Sequence, residues 1–94
     1  MSHSGLLDQV VELANAYYEH RDSAKVFPEI TPEQLRQAFG CGTPMPQHGE
    51  EAERIIAGLA DSAGLGLVAN TGPRYFGFVI GGSLPVATAA DWLT

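Results

Sequence analysis

The chain has 94 residues, 45% of them hydrophobic and 17% charged, with 11 acidic against five basic side chains and a formal net charge of −6. That balance excludes a disordered chain, and so few Lys and Arg argue against a nucleic-acid partner, whose phosphates need a basic surface. The single cysteine, Cys41, leaves no internal disulfide, no apolar run reaches the ~18 residues of a membrane span, and no basic-then-apolar leader is visible, so a soluble cytoplasmic protein is expected.

Residues 5–20 carry Leu7, Val10, Val11, Ala14, Tyr17 and Tyr18 at helical spacing, with Asp8, Glu12, Asn15 and Glu19 between them. The pattern predicts an amphipathic helix with a broad apolar face. A helix of this length is marginal in water by itself, so that face must dock on something. Tyr17 and Tyr18 are read as core or interface aromatics before ligand contacts. Residues 21–30 form a polar, then extended connection through Val26-Phe27-Pro28. Thr31-Pro32-Glu33-Gln34 is a helix start, with Thr31 as N-cap, Pro32 at the first position and Gln34 placed to complete a capping box. The helix is predicted over 32–39, with Leu35, Ala38 and Phe39 on one face, and ends at Gly40. Residues 40–49, rich in Gly and Pro, are a loop.

A third helix is predicted over 49–63, with Glu50, Glu51 and Glu53 at its positive end and Ile55, Ile56, Leu59 and Ala60 as its apolar side. Gly64-Leu65-Gly66 breaks it, and 70–73 is a turn. Residues 74–80 have apolar side chains on both parities, which predicts an extended segment covered on both sides. Ser83 stands where an N-cap belongs, with Pro85 in the first turn of a fourth helix. Val86, Ala87, Ala89, Ala90, Trp92 and Leu93 make that helix apolar nearly all round, and no C-cap follows. Such a helix is packed on several sides, so the 94 residues are expected to be the front of a longer protein. The expected class is mainly α: three to four helices plus one short extended segment.

Few residues offer chemistry. His3, His20 and His48 have no metal-site spacing, and Cys41 has no basic neighbour in sequence to activate it. The Gly-x-Ser-x-Gly elbow and the Gly-x-x-x-x-Gly-Lys phosphate loop are absent. Asp61-Ser62 closes a helix, whereas the attachment serine of a carrier protein opens one. Gly81-Gly82-Ser83 ahead of a helix offers backbone N–H groups at a positive helix end, or simply permits a sharp turn against a packed neighbour. Arg74 has the fork to bind a carboxylate, and a surface ion pair is the preferred reading.

The run from Pro73 to Leu93 resembles the amino-terminal signature of the group II pyridoxal-phosphate-dependent amino-acid decarboxylases, which include the aromatic amino-acid, histidine and glutamate decarboxylases. Members carry a Pro-x-aromatic-Phe-small-aromatic segment, a turn of small residues, then Pro and a helix containing Ala-Asp-x-Leu. Pro73, Tyr75, Phe76, Gly77, Phe78, the Gly81-Gly82-Ser83 turn, Pro85 and Ala90-Asp91-Trp92-Leu93 match these elements. Gly72 departs from the histidine or serine frequent beside the proline in animal members, and the turn is about one residue shorter than in the animal aromatic decarboxylases.

The resemblance implies that residues 1–94 are the N-terminal helical segment of a larger chain of the α/β fold type I class. Its cofactor-binding domain and its catalytic lysine would lie downstream. It implies a homodimer whose amino-terminal helices clasp the partner subunit. It also implies a substrate pocket whose wall includes Phe78, Val79, Ile80, Gly81, Gly82 and Ser83. The parent enzyme would be a lyase that decarboxylates amino acids, aromatic ones first. The segment alone, with Lys25 as its one lysine, would bind no pyridoxal phosphate and no metal, and would catalyse nothing. The alternative is a free-standing, small acidic helical module for protein interaction.

Overall fold

The computed structural model describes residues 3–77 and 82–94, with side chains from residue 5 onward. Among these residues the chain forms four helices and no strand: α1 (His3–His20), α2 (Pro32–Ala38), α3 (Ala52–Gly64) and α4 (Pro85–Leu93). The mainly helical class expected from the sequence holds. None of the helices is long and apolar enough to cross a membrane.

Local signals place α2 most sharply. The Gln34 amide donates to Thr31 Oγ1 at 3.1 Å, and the Thr31 amide donates to Gln34 Oε1 at 3.0 Å, a complete capping box. At the other end Gly40 has φ +68°, the left-handed conformation that a Cβ resists. The Gly40 amide donates to the Gln37 carbonyl and the Cys41 amide to the Arg36 carbonyl, both at 3.0 Å, which is a Schellman closure. Ser62 Oγ of α3 donates to the Ala38 carbonyl at 2.9 Å, so a further orphan carbonyl of α2 is met by a neighbouring helix. Ser62 is thus a structural donor at a helix end, in keeping with the rejection of an attachment-site role for it.

The principal helix–helix contact is α1 on α3. Leu6, Gln9 and Val10 of α1, and Ala52, Ile56 and Ala60 of α3, are half-buried. Gln9 Nε2 donates to the Glu53 carbonyl at 2.9 Å, while Gln9 Oε1 is buried without a hydrogen-bond partner. The seam is therefore partly polar. The predicted apolar side of α3 splits: Ile56 and Ala60 turn inward, whereas Ile55 and Leu59 stay exposed. The acidic first turn is also corrected. Glu51 is the N-cap with extended backbone and no side-chain cap bond, Glu50 precedes it, and only Glu53 falls in the first turn.

The two long connections pack against each other. The Ala69 amide donates to the Val26 carbonyl at 2.9 Å, and the Phe27 and Tyr75 rings lie 6.3 Å apart. Ala69, 7% exposed, is the one buried apolar residue among those described. The predicted extended segment is not found where it is described. Residues 72–75 form a turn closed by the Tyr75 amide on the Gly72 carbonyl, and Phe76 is 92% exposed, so the described part of the run is not covered on both sides. Residues 78–80 of that prediction lie outside the described residues.

Size measures agree with so thin a core. A folded monomer of 10.0 kDa is expected to expose roughly 5,200 Å²; this chain exposes 7834 Å². Its radius of gyration is 15.7 Å, against about 12 Å for a closed domain of this length. The apolar stripes that the sequence presents are paired with one another only in part.

Candidate functional site

Of the six residues expected in a pocket wall, Phe78, Val79, Ile80 and Gly81 lie outside the described residues. Gly82 and Ser83 are exposed and lead directly into α4. Ser83 is not the N-cap: Leu84 is, with φ −69° and ψ 143°, followed by Pro85. The proline explains the shift. It drives the residue before it into extended backbone, and that conformation is what an N-cap requires. Leu84 has no side-chain oxygen to offer, and the Ala87 and Thr88 amides both donate to its carbonyl. The Ser83 hydroxyl instead lies 2.9 Å from Thr88 Oγ1, so it ties the turn to the second turn of α4.

Between α1 and α4 runs a groove of about 660 Å³. Val11, Ala14 and Tyr18 form its α1 wall, and Pro85, Ala89 and Trp92 its α4 wall. The spacing that makes α1 amphipathic puts Val11, Ala14 and Tyr18 on one stripe, and the all-round apolar character of α4 supplies the facing side. Arg21 is the one charged lining residue. Its guanidinium sits 5.4 Å from the centre of the Tyr18 ring, and its Nε lies 3.8 Å from Asp22 Oδ1. The Tyr17 and Tyr18 rings meet edge to face at 5.8 Å. The groove is thus an open apolar trough with one cation beside an acid.

Two glycines, Gly77 of the signature and Gly72 just before it, stand in tight surroundings. A Cβ built on Gly77 would stand 2.8 Å from Tyr75 Oη and 2.9 Å from its Cζ, so the small position is filled by the folded-over tyrosine ring. A Cβ on Gly72 would stand 3.0 Å from the Arg21 carbonyl and 3.4 Å from that of Ala69. Both are backbone atoms, so a side chain at this position meets a tight contact on two sides. Arg74 is exposed and forms no ion pair with any described residue, against the preferred expectation for it.

A pyridoxal cofactor needs a lysine amine held among apolar groups and an acid for the pyridine nitrogen. Lys25 Nζ is 2.9 Å from Glu29 Oε2, in an i,i+4 pair whose side chains are both largely exposed. Those residues do not fit the cofactor. No three His, Cys, Asp or Glu side chains converge as a metal set among the described residues. His20 closes the end of α1, with Nδ1 2.8 Å from the Ala16 carbonyl. Cys41 is exposed within the Schellman closure, with Gly42 beyond it at φ +87°. Compared with protein-family models, curated proteins and solved structures, the chain matches none.

Proposed function

We propose that this chain is the amino-terminal segment of a cytoplasmic, pyridoxal-phosphate-dependent amino-acid decarboxylase. In that role it clasps a second subunit, lines the substrate pocket, and has no activity by itself. The observation that carries the reading is the mismatch between apolar side chains and core. Leu7, Val11, Leu59, Val86, Trp92 and Leu93 are all exposed, while Ala69 alone among the described apolar residues is buried. The excess surface, about 2,600 Å² over a closed monomer, is of the size that permanent subunit interfaces remove from water. Exposed apolar side chains grouped on a helix face mark surfaces that are covered by partners.

The run from Pro73 to Leu93 supplies the chemistry of the proposal. The tyrosine over Gly77, the turn of small residues at Gly82 and Ser83, and a proline-started helix ending in Asp91-Trp92-Leu93 are consistent with a short, sharply turned wall. The whole enzyme would supply the lysine and acid that Lys25 and Glu29 do not. A free-standing interaction module is disfavoured, because such a module brings a core of its own.

The test is the reading frame beyond the codon for Thr94, followed by an assay of its full product. The expected result is a frame of roughly 350 further residues in α/β alternation, encoding a lysine that borohydride fixes to the cofactor. The purified product should release carbon dioxide from aromatic amino acids. A stop codon directly after Thr94 would overturn the proposal in favour of a binding module.

A further inference from the structure

We draw no further inference here: the strongest candidate, the 660 Å³ apolar groove between α1 and α4, whose one charged lining residue Arg21 already stands beside Asp22, is an unpartnered face and nothing in the structure shows what covers it.

Discussion

Under the proposed role, in which exposed apolar faces clasp a second subunit, a single carboxylate in the α1–α4 groove should separate folding of the chain from its assembly. Val11 lines the groove and is 41% exposed, and it sits within α1 away from both ends. Val and Asp differ little in helix propensity, so Val11→Asp is expected to change the stability of the isolated chain by no more than about 0.5 kcal/mol. In an assembly that covers the groove, the same carboxylate is buried without a partner. That costs about 3–5 kcal/mol, which is between two and four orders of magnitude in a dissociation constant. The net charge of −6 adds repulsion between copies in the same direction. Sedimentation velocity over a wide concentration range, with circular dichroism on the same samples, reads both quantities. The wild-type chain should associate above its 10.0 kDa monomer mass, and the variant should remain monomeric with unchanged helicity. A wild-type chain that stays monomeric and melts cooperatively would refute the reasoning. So would a Val11→Asp chain that associates as tightly as the wild type.

Four further outcomes follow from local geometry. Thr31→Ala removes the acceptor of the Gln34 amide and should cost about 1 kcal/mol, read as roughly fivefold faster amide exchange in α2. Gly40→Ala forces a Cβ into a φ of +68° and should cost about 1–2 kcal/mol, whereas Gly40→Asn should lose less; exchange at the Cys41 amide distinguishes them. Gly72→His should disrupt the turn against Arg21 and increase protease cleavage between residues 65 and 77, because its Cβ has backbone on two sides. Trp92, the only tryptophan, lines the groove; its emission should shift to shorter wavelength as the wild-type chain associates, and not in Val11→Asp.

The parts of this fold that rest on neighbouring residues were readable in the sequence. The box at Thr31 and Gln34, the stop at Gly40 and the periodicity of α1 are closed by atoms within five residues of one another, so composition and spacing determine them. The start of α4 was one residue off, because Pro85 acts on Leu84 more strongly than Ser83 competes for the cap. What escaped is what depends on distant partners. Which half of α3's apolar side turns inward is decided by where α1 lies, and neither Ile55 nor Ile56 announces it. The run at 74–77 has the composition of a covered strand but folds into a turn with Phe76 outside. Strand composition describes a half-buried surface more than a backbone preference, and no surface covers this one.

The bond between Val26 and Ala69 bears on the order in which the chain folds. It closes a loop of more than forty residues, at an entropic cost of about 3 kcal/mol. One backbone hydrogen bond returns only about 1 kcal/mol net, and the alanine side chain buries little area. This closure is therefore expected to form late. The α1–α3 seam closes a loop of similar length, from Gln9 to Glu53, but brings together several half-buried apolar side chains. It should form first and shorten the effective loop between the two connections. The Ala69 amide is consequently a late reporter: in pulse-labelled exchange it should gain protection after the α1 and α3 amides, and lose it first when their seam is weakened.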